Sequence, residues 1–243
     1  MERKKERMNE STVEMNKQQY INSKNAKYII WCILISVILM AFIDVVIVPP
    51  YFPRALIKVI LFTGFPLFYF MKSGDKSLKK LFKTSKNGLS FAFLAGAAVL
   101  VLILGAYFLF NNVFDFSSIP ASIESQYGVT KDNYILVALY IAICNSFLEE
   151  FFFRGFAFLT LSQYWDKKKV YLFSSIIFSL YHITMLIGWG SIWIFALALI
   201  GLVVGGMIFN FFNDRYQNIY SSWIVHLSAN LAINTVGYIL LSA

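Results

Sequence analysis

The sequence predicts an all-α, polytopic integral membrane protein, a bundle of about seven transmembrane helices with a cytoplasmic N-terminus. Of the 243 residues, 58% are hydrophobic and 14% are charged, whereas a soluble domain carries about 25% charged residues. The hydrophobic residues also fall in long blocks, and a transmembrane helix needs ~20 consecutive apolar residues. These observations exclude an ordinary globular domain, a disordered chain and a secreted disulfide-rich scaffold.

Seven apolar blocks qualify as spans, the second being the shortest. They cover residues 28–48, 55–71, 89–110, 134–163, 170–187, 191–209 and 220–241. The first block is too long for a signal-peptide core and lacks a small-residue cleavage site, so it is predicted to stay as an anchor helix. Residues 1–27 are polar and basic and are predicted to form a flexible cytoplasmic tail, which leaves 28–243 as a single transmembrane helical domain.

The distribution of basic residues predicts the orientation. All Lys and Arg except Arg54, Lys58, Lys131 and Arg154 fall in the tail or in the loops that an N-inside arrangement places in the cytoplasm, as the positive-inside rule requires. The formal net charge of +8 then indicates attraction to anionic lipid at the cytoplasmic face. Nucleic acid is not an expected partner, because the basic residues flank spans rather than forming a patch with stacking aromatics.

The sixth span contains a small-xxx-small pattern, Gly201-Leu-Val-Val-Gly205. Such a pattern lets another helix approach closely. We expect that helix to come from the same chain, with a homodimer as the alternative.

Charged residues inside the spans each need a reason, because a charge at mid-bilayer costs about 2.5–3.5 kcal/mol on insertion scales. Asp44 and Lys58 lie near the outer ends of their spans, where they can reach the interface, so a structural role is expected for them. The fourth span differs, because it holds Glu149, Glu150 and Arg154 within one apolar helix.

Glu150 and Arg154 are four residues apart and share a helix face, so they can form an ion pair. Glu149 points about 100° away from Glu150, onto the face of Asn145, and has no counter-ion on its own helix. The sequence therefore singles out Glu149 as the carboxylate whose burial calls for a functional explanation.

Both histidines of the chain, His182 and His226, lie in apolar spans, and Asn230 follows His226 by one turn. At 1.5 Å rise per residue, these groups and Glu149 can meet in one layer between mid-bilayer and the cytoplasmic face. The set suits amide hydrolysis, which needs an activated water, an oxyanion-stabilising group and a proton for the leaving amine. Glu149 would be the base and His182 would position the water. His226 and Asn230 would donate to the oxyanion, and Glu150 with Arg154 would support the site.

The motifs Glu149-Glu150-x-x-x-Arg154, Phe178-x-x-x-His182 and His226-x-x-x-Asn230 stand on successive hydrophobic spans. In this order they resemble the CPBP family of CAAX prenyl endopeptidases and bacteriocin-processing or immunity proteins, also called Abi, over residues 145–232. The resemblance implies an intramembrane glutamic endopeptidase that uses these six residues, with no cofactor and no metal. It further implies a peptide or protein substrate at the membrane and, for a short chain of the bacterial branch, a multi-pass protein of the bacterial plasma membrane.

Three alternatives remain open from the residues. A zinc protease would use both histidines and a carboxylate, although neither histidine belongs to an HExxH motif. A non-catalytic immunity or scaffolding protein would bind a peptide without cleaving it. A proton-coupled transporter would use the glutamates and histidines as a relay, but no inverted repeat supports it.

Overall fold

The computed structural model describes residues 2–84, 86–189 and 191–242, and within these residues the secondary structure is helical, with no strand. The helices are α1 (Glu2–Phe42), α2 (Tyr51–Ser73), α3 (Leu78–Leu81), α4 (Lys86–Phe110), α5 (Ser118–Tyr127), α6 (Tyr134–Tyr140), α7 (Ser146–Glu149), α8 (Lys167–Tyr181), α9 (Ile183–Leu186), α10 (Ile192–Tyr216) and α11 (Tyr220–Ser242). A π-helical turn extends α1 over Ile43–Ile47. Two further π-helical segments, described with the site, and a short 3₁₀ turn make Tyr134–Gln163 one continuous helical rod.

Seven of these helical segments are long and apolar enough to cross a membrane. They are Gln18–Ile47, Tyr51–Ser73, Lys86–Phe110, Tyr134–Gln163, Lys167–Leu186, Ile192–Tyr216 and Tyr220–Ser242. Each corresponds to one predicted apolar block. The prediction of a polytopic helical membrane protein with about seven spans is confirmed.

The breaks between helices follow the local sequence. Pro49 and Pro50 separate α1 from α2, because proline lacks the N–H that a helix interior needs. Gly74 ends α2 in the left-handed conformation, with φ of +67°, which glycine adopts without a Cβ penalty. One expectation differs from the structure: α1 begins at Glu2, so the tail predicted to be flexible is helical.

The fourth span, Tyr134–Gln163, is the centre of the bundle. The side chains of Phe152, Phe153, Phe156 and Phe158 on this span are fully buried. Phe62 of α2 stacks on Phe152 with ring centroids 4.1 Å apart. This aromatic core surrounds the segment that carries the two glutamates and excludes water from it.

Glycines set the closest helix approaches. A Cβ on Gly96 of α4 would lie 2.5 Å from Ser228 Oγ and 3.4 Å from Ile224 O of α11, and one on Gly206 of α10 would lie 3.0 Å from Ser175 Cα of α8. Gly201 and Gly205 have no such neighbour within 4 Å. The expected close approach of another helix of the chain at Gly201 and Gly205 is therefore wrong. α8 instead meets α10 at Gly206. The homodimer alternative stays a prediction.

Gly96→Val should weaken the packing of α4 on α11 by about 1–3 kcal/mol, the usual cost of overpacking a close contact. The matched control is Gly105→Val on the same helix, where a Cβ meets nothing within 4 Å. Thermal unfolding of the purified protein in detergent measures both. Equal midpoints for the two variants would contradict the described α4–α11 contact.

Candidate active site

The two adjacent glutamates lie where the fourth span changes its helical geometry. A π-helical turn covers Ile141–Asn145, α7 ends at Glu149, and a second π-helical segment covers Glu150–Thr160. π-Bulges inside α-helices occur frequently at functional sites. Both glutamates, which lie between the two π-helical segments and at the start of the second one, are buried.

One carboxylate oxygen of Glu149 is held by two donors. Lys58 Nζ of α2 lies 2.5 Å from Glu149 Oε1 and 2.6 Å from Asn145 Oδ1, and Asn145 Nδ2 donates to the same Oε1 at 3.0 Å. The Lys58 side chain is 8% exposed and that of Glu149 is 2% exposed. A buried charge of this kind needs a partner with good geometry, and Lys58 supplies it.

The second oxygen of Glu149 faces the two histidines. Glu149 Oε2 lies 3.8 Å from His182 Nε2 and 3.6 Å from His226 Nε2. His182 Nδ1 lies 2.7 Å from the carbonyl oxygen of Phe178, so Nδ1 must carry the proton. In the neutral ring, Nε2 then presents its lone pair toward Glu149.

Glu150 is fully buried and connects His226 to Arg154. Glu150 Oε1 lies 2.9 Å from His226 Nδ1 and 3.6 Å from Arg154 Nε. The Arg154 guanidinium carbon lies 4.0 Å from the ring centre of Phe178 and 4.8 Å from that of Phe209. Cation–π contacts of this kind stabilise a desolvated guanidinium, whose nitrogens make no hydrogen bond within the described part of the chain.

Asn230 occupies a different position from the other predicted site residues. In the part of the chain that the structure describes, its Nδ2 donates to Ile141 O at 3.4 Å, rather than to either glutamate. Trp223 of the same helix donates from Nε1 to Ile143 O at 3.2 Å. Both side chains thus satisfy carbonyls in the π-helical turn before the glutamates and position α11 against the fourth span.

The structure therefore brings together Glu149, Glu150, Arg154, His182 and His226 from three spans, as the motifs predicted. It also adds Lys58 and Asn145. The interfacial position expected for Lys58 is wrong, because its side chain is buried against Glu149. The sequence predicts no counter-ion for Glu149 on its own helix, and the structure supplies one from α2. Two features of the sequence could have identified these residues as part of the site: Lys58 is a charged residue within an apolar span, and Asn145 precedes Glu149 by one helical turn.

The site residues lie at different distances from the ends of their spans. His182 directly follows the last residue of α8, Lys167–Tyr181, and Lys58 is close to the N-terminal end of α2. Two residues after His182, Thr184 Oγ1 donates to Asp44 Oδ2 at 3.0 Å, near the C-terminal end of the first span. On these three spans the site lies toward the ends opposite to those predicted to be cytoplasmic, whereas His226 lies near the N-terminal end of α11, an end predicted to be cytoplasmic. The side of mid-bilayer on which the site lies stays a prediction.

A multi-pass helical membrane protein with two adjacent buried glutamates, a buried histidine and a partly buried histidine between its spans defines a class: membrane proteins with a polar site inside the bilayer. Residues 131–232 match the family model described as "Type II CAAX prenyl endopeptidase Rce1-like". The resemblance predicted from the motifs is confirmed over this range, and the family that it matches is one of CAAX-type membrane proteases. No curated protein and no solved structure matches the chain.

Within the described ranges 2–84, 86–189 and 191–242, no group of three or more His, Cys, Asp and Glu side chains has an arrangement that could hold a metal ion.

Glu150→Gln should destabilise the protein by about 3–5 kcal/mol, because removing one partner of a buried pair leaves Arg154 as an uncompensated buried charge. Glu124→Gln on α5 is the matched control, since Glu124 is exposed. Chemical or thermal unfolding in the same detergent compares the two variants. A loss no larger than that of Glu124→Gln would contradict the paired role of Glu150.

Proposed function

We propose that the protein is an intramembrane glutamic endopeptidase that hydrolyses a peptide bond of a membrane-associated peptide or protein. The observation that carries the proposal is the pair of imidazole Nε2 atoms that face one free oxygen of Glu149, 3.6 and 3.8 Å away. A carboxylate and a neutral imidazole at this spacing can both accept protons from a water between them. This is the arrangement that general-base activation of water needs.

In the proposed reaction, Glu149 Oε2 takes a proton from the water while its oxygen attacks the substrate carbonyl carbon. His182 accepts the second hydrogen bond of the water and orients it, because its Nδ1 proton is committed to Phe178 O. The attack converts the carbonyl oxygen into an oxyanion. When the tetrahedral intermediate collapses, the C–N bond breaks and protonated Glu149 returns its proton to the leaving amine. The immediate products are a carboxylic acid, which keeps the second proton of the water, and an amine; proton transfer from the acid to the amine then gives a carboxylate and an ammonium group.

The oxyanion needs donors that are in place before the reaction. His226 Nδ1 lies 2.9 Å from Glu150 Oε1, which leaves Nε2 as the ring nitrogen that can face the oxyanion. Donation from Nε2 while Nδ1 also donates to Glu150 requires a proton on both ring nitrogens. Asn230 uses one amide proton in its long hydrogen bond to Ile141 O and keeps a second amide proton to donate. Glu150 and Arg154 support His226 rather than touching the substrate, so we infer that Glu149 is the base.

The alternative within the same family is a non-catalytic immunity or scaffolding protein.

We further propose that the protein lies in a bacterial plasma membrane with its N-terminus in the cytoplasm and that its basic loops contact anionic lipid. We propose peptide maturation, peptide signalling or bacteriocin immunity as its biological role. The distribution of Lys and Arg supports the orientation.

Glu149→Gln should abolish cleavage, with a loss of about 100-fold or more, because it removes the proton acceptor at nearly constant shape. The assay uses purified protein in lipid vesicles with a panel of prenylated CAAX peptides and unmodified hydrophobic peptides, and mass spectrometry identifies the products. Glu124→Gln is the control for the effects of substituting a glutamate and of purifying a variant. Gel filtration checks that each variant remains folded. Equal cleavage by Glu149→Gln and the unaltered protein would refute the proposal, and binding without cleavage by both would favour the scaffold.

Removal of metal ions should leave the cleavage rate unchanged, because every proposed step uses side chains of the chain and water. The measurement is the same vesicle assay after treatment with a zinc chelator such as 1,10-phenanthroline. A rate lost on chelation and restored by added zinc would instead support the metalloprotease alternative.

A further inference from the structure

Lys58 is a buried charge that the family motifs do not include, since it lies on α2, outside the matched residues 131–232. Its ammonium group contacts Glu149 Oε1 at 2.5 Å and Asn145 Oδ1 at 2.6 Å. Asn145 also donates to the same Oε1 at 3.0 Å. Two contacts thus join one oxygen of Glu149 to two side chains from different spans, and a third joins those side chains to each other. We call Lys58 and Asn145 the Oε1 clamp.

The clamp distinguishes the two oxygens of Glu149. A carboxylate can turn about its terminal bond, which is a soft torsion, and turning would exchange Oε1 and Oε2. With Oε1 engaged by two donors, Oε2 is the oxygen left to face His182 and His226 at 3.8 and 3.6 Å. A plain counter-ion would neutralise the charge without needing to select an oxygen.

The position of Lys58 is itself restrained. Its ammonium nitrogen lies 4.8 Å from the ring centre of Tyr181 and 5.4 Å from that of Phe62. Phe62 stacks on Phe152 in the aromatic core, and Tyr181 immediately precedes His182. The rings therefore limit where the ammonium group can move, and they tie its location to the helix that carries the histidine.

We propose that Lys58 and Asn145 are positioning residues of the proposed hydrolysis, which hold Oε1 of Glu149 so that Oε2 stays aimed at the water. The proposal rests on the proposed endopeptidase function and assigns the clamp no contact with substrate. It implies that loss of the clamp lowers kcat rather than substrate affinity, because the substrate contacts remain while the base loses its orientation.

The first test compares Lys58→Met, Lys58→Arg and Asn145→Ala in the vesicle cleavage assay. We expect Lys58→Met and Asn145→Ala to lower kcat by about 100-fold, the scale on which misplacement of a reacting group acts, with KM near the unaltered value. Lys58→Arg keeps a charged donor and should recover most of the lost rate. The matched control is Lys72→Met in the last turn of α2, where the side chain is exposed.

A second measurement reports on the clamp without relying on cleavage. Dicyclohexylcarbodiimide modifies protonated carboxyl groups inside membranes, and an ammonium group bound to Glu149 keeps that carboxyl ionised. We expect Glu149 to be modified several-fold faster in Lys58→Met than in the unaltered protein or in Lys58→Arg. Glu150, whose partners are Arg154 and His226, is the internal reference and should keep its rate. Mass spectrometry of the digested protein measures both sites.

The outcomes separate the two proposals. Cleavage that persists in Glu149→Gln would refute the endopeptidase function. An inactive Glu149→Gln together with an unchanged kcat in folded Lys58→Met would refute the clamp alone. Faster modification of Glu149 in Lys58→Met with an unchanged kcat would also refute the clamp, since Lys58 would then be a counter-ion only. If Lys58→Met does not fold, Asn145→Ala decides, because it introduces no unpaired charge; an unchanged kcat there overturns the proposal.

Discussion

The burial of two neighbouring carboxylates is the constraint on which the arrangement of the bundle depends. The side chains of Glu149 and Glu150 are at most 2% exposed, and an ionised group moved from water into a low-dielectric interior costs several kcal/mol unless it is paired. Each glutamate has its own cation, Lys58 from α2 and Arg154 from the fourth span. His182 of the fifth span and His226 of the seventh span complete the contacts, so the site connects four spans.

The aromatic core makes these electrostatic contacts strong. Phe178 and Phe209 lie against the Arg154 guanidinium, and Phe209 also stacks on His226 with ring centroids 4.8 Å apart. The rings of Phe62 and Tyr181 likewise lie against the Lys58 ammonium group. Rings exclude water and lower the local dielectric, which strengthens attraction between the remaining charges. The high phenylalanine content is thus part of the site as well as of the lipid-facing surface.

The helical geometry around the glutamates explains why simple periodicity describes the site incompletely. The π-helical turns shift side-chain directions from those of a regular α-helix, and their carbonyls accept hydrogen bonds from Asn230 and Trp223 of α11. Asn230, assigned from spacing to the oxyanion, is thus seen in contact with the backbone at Ile141. Spacing along α11 identified the residue but not its partner.

The sequence by itself determined the number of spans, because ~20 apolar residues are needed to cross the hydrocarbon core. It also identified the Glu150–Arg154 pair, because residues four apart on one helix are neighbours in any fold. Only the tertiary structure decided that Lys58 pairs with Glu149 and that Gly206 rather than Gly201 and Gly205 meets α8. These features depend on the rotation and axial offset of one helix against another, which side-chain packing across the whole bundle sets and which no periodicity within one span encodes.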